Sequence, residues 1–434
     1  MNRQAIESPV ETAASDHNRA SVQYKPNRLG SGSHLLEKWL LTKILKVLGS
    51  PDVRFMLWDG QEISLSSVPA VARIGIRDRV ALLRLVANPS LQFGELYCTD
   101  QVSVDGNLEA FLEALYRARS QAPAGGIWQA MLALANRPRP NSLRGARENI
   151  HHHYNIGNDF YKLWLDQQML YTCAYFPDPS VTLEQAQVAK MHLICRKLWL
   201  KPGEQVVEAG CGWGALALHM AKHYGVRVRA YNIAKEQLSF ARERARQEGM
   251  DGSIEYVEGD YREIAGEYDA FVSVGMLEHV GVEHYQTLGG VIDRCLKQNG
   301  RGLIHSIGVN QPSRLNPWIE RHIFPGANPP SLGEMMRLFE PSKFSILDVE
   351  NLRLHYAKTL DHWLRRFEAA IPRVTEMFGE SFVRAWRLYL SGSLGAFTTG
   401  ELQLFQVVFS RAADNAIPWT REQLYKHGQG DGKL

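Results

Sequence analysis

The stretch VVEAGCGWG, residues 206–214, is a short apolar run that ends in an acid and three glycines at alternate positions. Such a run reads as a strand turning sharply into a helix, because glycine allows positive φ and lets the backbone pass close to a ligand. Outward from it, strand and helix patterns alternate. Residues 205–209, 226–231, 254–258, 270–274 and 302–307 are short and apolar, and helical stretches separate most of them. That spacing predicts βαβ units and a parallel sheet. Two further strands are expected at 344–350 and 402–410, with a helical segment at 355–391 between them.

The glycines are Gly210, Gly212 and Gly214, a spacing unlike the G-x-G-x-x-G of dinucleotide sites. Such sites also need an acid about 20 residues on. Here the second strand ends at Tyr231-Asn232 without a carboxylate, which disfavours a nicotinamide cofactor. Glu208, just before the glycines, suits the cationic amino group of a methionine moiety. Asn232 and Gln237 are placed to reach ribose hydroxyls, and Asp260, at the end of the third strand, suits an adenine edge. S-adenosylmethionine is therefore the expected cofactor, ahead of a glycine turn with only a structural job. Methyltransferases of exocyclic base nitrogens often carry N/D-P-P-Y/F after the fourth strand. Residues 275–281 read GMLEHVG instead, and the net charge is only +3, so no nucleic-acid partner is expected.

A length of 434 residues suggests two or three domains. With 45% hydrophobic and 22% charged residues the composition is that of an ordinary globular protein. Residues 1–33, broken by Pro9, Pro26, Gly30 and Gly32, read as a flexible tail without the apolar core of a signal peptide. No run approaches the roughly 18 apolar residues of a membrane span. The cysteines are scattered and form no C-x-x-C pair, so neither a disulfide framework nor a metal site is expected, and a reducing cytoplasm fits. A helix at 34–48, a hairpin at 54–65 around Asp59-Gly60 and a helix at 108–119 make a small α+β N-terminal domain over 34–119. Residues 120–149 read as a linker that holds a helix at 127–135 and the run Arg137, Arg139, Arg144, Arg147. Residues 150–434 are then the catalytic domain.

Several stretches together carry a resemblance. They are HYNIGNDFYKLWLDQQMLYTCAYF (153–176), the glycine loop (206–215), VSVGMLEHVGV (272–282), LIHSIG (303–308), LHYAKTLDHW (354–363) and LFQVVFS (404–410). In combination they resemble the cyclopropane-fatty-acyl-phospholipid synthases and their mycolic-acid relatives. The likeness is dense over about 150–412 and looser before it, where NPSLQFGELY (88–97) is the best piece.

The resemblance implies an α/β fold of the class I S-adenosylmethionine-dependent methyltransferases, a Rossmann-like, mostly parallel seven-stranded sheet with helices on both faces. It implies that the π electrons of a cis double bond in a phospholipid acyl chain attack the sulfonium methyl. A carbocation forms, loses a proton from the new methyl to bound bicarbonate, and closes to a cyclopropane. It implies bicarbonate held by Glu278, His305, Tyr356 and the backbones of Cys173 and Ile307. Cofactor contacts carry over as Tyr171, Thr172, Gly210, Asn232, Gln237 and Asp260. Glu208 stands where aspartate is frequent in the family, Asn232 where threonine is frequent, and Thr172 where serine is. The resemblance also implies a homodimer with peripheral membrane attachment, in the cytoplasm at the inner face of the membrane.

Plainer readings stand beside these. His151-His152-His153 reads as a polar helix start rather than a metal tract, and Cys173 as a packing residue rather than a nucleophile. His279 fits a structural or cofactor-side role. Tyr171, Tyr175 and Phe176 offer aromatic faces to a carbocation. Tyr356, Leu360 and Trp363 share a helical face, the last two for packing. The helix at 34–48 reads as an ordinary packed helix or a membrane-lying one, and the arginine run as a solvated linker or a basic docking patch. Residues 318–330 (WIERHIFPGANPP) are expected to form an irregular loop over the acyl pocket. The competing functions are a fatty-acyl C-methyltransferase with a methyl-branched product, a small-molecule amine methyltransferase, and a non-enzymatic lipid-binding protein.

Overall fold

The computed structural model describes residues 34–121 and 156–425. The expected tail at 1–33, the linker from 122 to 149, its helix and arginine run, and the histidines at 151–153 lie outside the described residues.

The chain begins with α1 (Leu35–Val47), which is followed by the expected hairpin of β1 (Val53–Met56) and β2 (Glu62–Ile63). Gly60 turns it at φ +88°, and the Asp59 carboxylate accepts from the Gln61 N–H. Four elements that the sequence reading left out come next: β3 (Ala72–Ile76), α2 (Arg79–Ala87), α3 (Pro89–Cys98) and β4 (Val102–Gly106). Asp78 and Asn88 cap the two helices, each side chain accepting from a first-turn N–H. The strands form a sheet of order β2-β1-β3-β4, backed by α4 (Leu108–Gln121).

The second half holds α5 (Asn158–Tyr161), α6 (Leu183–Lys197), β5 (Gln205–Ala209), α7 (Ala215–Tyr224), β6 (Arg227–Asn232), α8 (Lys235–Gln247), β7 (Ile254–Glu258) and β8 (Tyr268–Val274). Then come α9 (Tyr285–Cys295), β9 (Leu296–Gly308), α10 (Pro317–His322), α11 (Leu332–Phe339) and β10 (Phe344–Asn351). The chain continues through α12 (Arg353–Ala369), α13 (Ile371–Phe378) and α14 (Glu380–Thr399) to β11 (Gln403–Arg411) and α15 (Glu422–Tyr425). All seven expected strands are present, in the order β10-β11-β9-β8-β5-β6-β7, with only β11 antiparallel to its neighbours. The helical segment expected at 355–391 is three helices. Pro372 sits in the first turn of α13, where its missing N–H costs nothing, and Gly379 at φ +82° separates α13 from α14.

Strand side chains alternate between two cores, which is why neither face reads as polar. Val206, Val228, Val272 and Leu303 pack on one side with Leu216, Met220 and Leu238 of α7 and α8. Val207, Tyr231, Phe271 and Ile304 pack on the other with Leu288, Ile292, Met335 and Leu338 of α9 and α11. The sheet is thus covered by helices on both faces.

The first sheet is docked on the second half through α3 and α4. A Cβ on Gly94 would lie 2.4 Å from the Trp318 ring, so the indole is seated directly on the α3 backbone. Tyr116 of α4 packs 3.4 Å from where a Cβ on Gly395 would be. Arg384 of α14 donates to the carbonyls of Tyr97 (2.5 Å) and Val102 (3.2 Å), pairs with Asp100 and lies 4.3 Å over the Tyr97 ring. Arg384→Ala leaves both carbonyls without this donor, a cost of about 1–3 kcal/mol. The expected outcome is a lower thermal-denaturation midpoint with less cooperative melting. An unchanged midpoint would show that this arginine does not hold the dock.

Candidate active site

The glycine loop takes the shape its residues require. Gly210, Gly212 and Gly214 have φ of +85°, +53° and +80°. The N–H groups of Gly210 and Cys211 both donate to the Tyr231 carbonyl, at 2.9 and 3.0 Å, which ties the loop to the end of β6. Each glycine is needed for a different reason. A Cβ on Gly214 would strike Tyr256 Oη at 2.5 Å, and one on Gly210 would press on Met276 at 3.1 Å. A Cβ on Gly212 would meet nothing within 4 Å, so this backbone faces open space. Trp213 is anchored by its indole N–H to Asn158, at 2.7 Å.

That space is a cavity lined by Tyr171, Thr172, Lys190, Glu208, Gly210, Gly212, Asn232, Gln237, Asp260, Gly275 and His279. The cofactor residues expected from the sequence come together there, apart from Gly214, which packs behind the wall. His279 lines the cavity, on the cofactor side as expected.

The polar groups of the cavity divide into satisfied and unsatisfied. The Asn232 amide donates to Gly212 O (3.2 Å) and Gln237 Oε1 (2.8 Å), and its oxygen accepts from the N–H groups of Ile233 and Ala234. Asn232 therefore staples loop to strand, and its side chain is engaged before any ribose arrives. Asp260 accepts from the Arg262 backbone N–H (2.9 Å) and guanidinium (3.1 and 3.3 Å). In contrast, Glu208 Oε2 and Gln237 Nε2 are buried with no protein hydrogen-bond partner among the described residues. An unpaired buried acceptor and donor, beside a loop with open space before it, suit the ammonium and ribose of the expected cofactor.

Lys190 was missed by the sequence reading. It reaches in from α6 and donates to Thr172 Oγ1 at 2.7 Å. Only 1% exposed, it is pulled down to about 8 by burial, against the opposing charges of Asp166, Cys173 and Glu208. Glu208 is pushed up to about 8 by burial, opposed by Lys190 and by a backbone hydrogen bond from Ala217. Its only sequence signal is a lysine amid the mostly apolar run of α6, a helix buried nearly all round.

The residues implied to hold bicarbonate lie beyond the cavity wall. β8 gives way to a turn at Gly275, whose N–H donates to the His305 carbonyl at 2.8 Å. The next residues form a short 3₁₀ turn, Leu277–His279, that buries Glu278. Glu278 Oε1 accepts from the Ile307 N–H at 2.5 Å, while Oε2 has no protein partner among the described residues. Burial pushes Glu278 up to about 7, partly offset by hydrogen bonds from backbone N–H groups and the Ser306 hydroxyl. His305, two residues before Ile307 on β9, shares its strand face. Its Nδ1 lies 3.0 Å from Gln406 Nε2, its Nε2 has no protein partner among the described residues, and burial holds its pKa well below the usual value.

Tyr356 and Cys173 complete the set differently. Tyr356 is 7% exposed, its ring 4.4 Å from Phe397 and edge-on to Trp363 at 5.9 Å. The Cys173 thiol donates to the Ala174 carbonyl at 3.1 Å, and burial pushes its pKa up, which suits packing rather than nucleophilic attack. Tyr171 joins the aromatic layer between Trp164 (5.3 Å) and Trp363 (5.4 Å), with its hydroxyl 2.7 Å from that of Tyr389.

Two expectations need correction. Tyr175 and Phe176 stack instead on His355 (4.9 Å) and His362 (5.6 Å). Those histidines lie on a face of α12 about 100° from Tyr356 at 3.6 residues per turn, so these rings turn away from the aromatic layer around Tyr356. The segment 318–330 is not wholly irregular. It starts inside α10, capped by Asn316, and then places Phe324 against His279 (6.0 Å) and Tyr389 (5.5 Å). The Asn328 N–H donates to the Glu278 carbonyl at 2.7 Å, so this segment is held against the turn that carries Glu278.

The family model "Mycolic acid cyclopropane synthetase" matches residues 141–407, and a domain of unknown function (DUF7884) matches residues 40–123. The chain is 38% identical to the cyclopropane-fatty-acyl-phospholipid synthase of Escherichia coli K12, over 80% of this chain and 90% of that one. It is 33% identical to a protein of Pseudomonas putida named "Probable fatty acid methyltransferase", over 86% of this chain and 96% of that one. The structure of the mycolic acid cyclopropane synthase CmaA1, complexed with SAH and CTAB, superposes with a TM-score of 0.58 at 29% identity, covering 61% of this chain and 98% of that one. The chain belongs to the mycolic acid cyclopropane synthetase family and is an S-adenosylmethionine-dependent methyltransferase.

Proposed function

We propose that this enzyme converts a cis double bond in the acyl chain of a membrane phospholipid to a cyclopropane ring. The observation that supports the proposal is that Glu278 Oε2 and His305 Nε2 are both buried without a protein partner among the described residues, while neither residue lines the cofactor cavity. Transfer of a methyl group needs only the cavity. A buried carboxyl group outside that cavity suits a reaction that must also remove a proton from the transferred carbon.

S-adenosylmethionine supplies an electrophilic sulfonium methyl. Glu208 Oε2 would hold its ammonium and Gln237 Nε2 a ribose hydroxyl, with Gly212 allowing close approach and Asp260 at the adenine end. Bicarbonate, where bound, supplies the base. His305 Nε2, Tyr356, Glu278 and the backbones of Cys173 and Ile307 would hold it, and Glu278 relays the proton onward. Tyr171, Trp363 and Tyr356 line the path with π faces that favour a developing cation. The segment carrying Phe324 and Asn328 would cover the acyl chain.

The division into an N-terminal domain (34–119) and a catalytic domain (150–434) belongs to the same proposal, as do peripheral membrane contact and a homodimer. Among the described residues no helix is long and apolar enough to cross a membrane. Leu35, Leu36 and Trp39 of α1 are exposed, with the Lys43 ammonium 5.6 Å from the Trp39 ring, and this supports surface contact with lipid. A second reading, methyl transfer without ring closure, is favoured by the likeness to the Pseudomonas putida protein.

Incubation with S-adenosylmethionine, bicarbonate and cis-unsaturated phospholipid vesicles, followed by mass spectrometry and NMR of the fatty acids, tests the proposal. A cyclopropane product is expected. A methyl-branched or methylene product would keep the transferase and reject ring closure.

Glu278→Gln is expected to bind S-adenosylmethionine normally by calorimetry and to lose most turnover. Unchanged turnover would remove Glu278 from the reaction. Burial raises Glu278 from 4.5 to about 7, so the fold favours its neutral form. That advantage is full below 4.5 and lost as pH rises through about 7. The glutamine variant should therefore gain stability relative to the wild type between those pH values, by a few kcal/mol at most. Denaturant melts at both ends of that range would show it, and parallel curves would refute it. Wild-type turnover should rise with pH through the same value.

Glu208→Gln removes the charge opposite the cofactor ammonium. A charge-assisted hydrogen bond is worth about 1.5–3 kcal/mol, so the dissociation constant for S-adenosylmethionine should rise roughly tenfold to a hundredfold. Calorimetry would measure this, and an unaltered constant would place the ammonium elsewhere.

A further inference from the structure

His305 and Gln406 face each other directly across the antiparallel pair β9–β11, and both side chains are fully or nearly fully buried. The Gln406 amide nitrogen lies 3.0 Å from His305 Nδ1. In this amide orientation, which leaves Gln406 Oε1 without a protein partner among the described residues, the nitrogen donates and Nδ1 accepts with its lone pair. A buried, neutral imidazole has one proton to place, and here it falls on Nε2, the nitrogen without a protein partner among the described residues.

We propose that Gln406 is a positioning residue that fixes His305 as its Nε2–H tautomer, so that the ring donates into the proposed bicarbonate pocket and takes up no proton there. This rests on the proposed role of that pocket. An anion held in it meets an N–H, whereas the opposite tautomer would turn a lone pair toward it. A carboxylate in place of Gln406 would draw the proton to Nδ1 and make Nε2 a base, as in the acid–histidine pairs of hydrolases. The amide inverts that arrangement and leaves proton uptake to the bicarbonate, with Glu278 as the relay. Both partners are on central strands held by continuous pairing with neighbours on either side, so the geometry does not depend on a loop.

The test is ¹⁵N NMR of histidine-labelled protein, with the His305 signals assigned by their loss in His305→Gln. The wild type should show a protonated Nε2 and an unprotonated Nδ1. In Gln406→Glu the pattern should reverse, with turnover falling about tenfold or more and cofactor affinity unchanged. A wild-type spectrum with Nδ1 protonated would overturn the proposal even if the variant did not fold. So would a reversed tautomer with full turnover. The spectrum needs no lipid. A failure to make cyclopropane would therefore count against the function proposed above, and a protonated Nδ1 against Gln406 alone.

Discussion

Burial of ionisable groups away from water is the constraint on which the site depends. Glu208, Lys190, Glu278 and His305 are each at most 4% exposed, and each is moved toward its neutral form. A protein keeps such groups only where hydrogen bonds or a partner offset the cost. Some of that offset is internal: Ala217 for Glu208, Thr172 for Lys190, Ile307 for Glu278 and Gln406 for His305. The remainder is left open at Glu208 Oε2, Glu278 Oε2 and His305 Nε2. These are atoms that a polar ligand satisfies and that an apolar acyl chain cannot.

One short piece of chain separates Glu278 from the cofactor cavity. β8 ends at Val274, and the residues after it turn back so that His279 faces the cofactor cavity while Glu278 faces β9. The Gly275 N–H to the His305 carbonyl holds that turn against the neighbouring strand. A parallel sheet places ligands beyond the carboxyl ends of its strands. β5, β6, β7, β8 and β9 all contribute their ends here.

Much of this was legible in the sequence. The catalytic sheet announces itself through apolar runs at regular spacing, and its strands fall within a few residues of expectation. β9 is the exception, since its polar start at Lys297–Asn299 and Gly300 hides it. The first sheet was half hidden. β3 contains a glycine and β4 ends in Asp105-Gly106, so neither carries the alternation of a long strand. Glu278, His305 and Tyr356 were singled out by likeness alone, because they are far apart in the chain and no local spacing links them. Lys190 and Gln406 were missed because a single polar residue inside an apolar run looks like an imperfection until its partner is known. Tyr175 and Phe176 were misassigned because aromatic character in sequence says nothing of which side of a neighbouring helix a ring will meet.

The seat of Trp318 on Gly94 ties the two halves of the molecule to each other. The same segment that buries this indole runs on to Asn328 and the carbonyl of Glu278. A bulkier residue at position 94 is therefore tolerable only if a smaller one replaces the indole at 318. Whatever shifts the first sheet therefore pulls also on the segment that is hydrogen-bonded to the turn carrying Glu278.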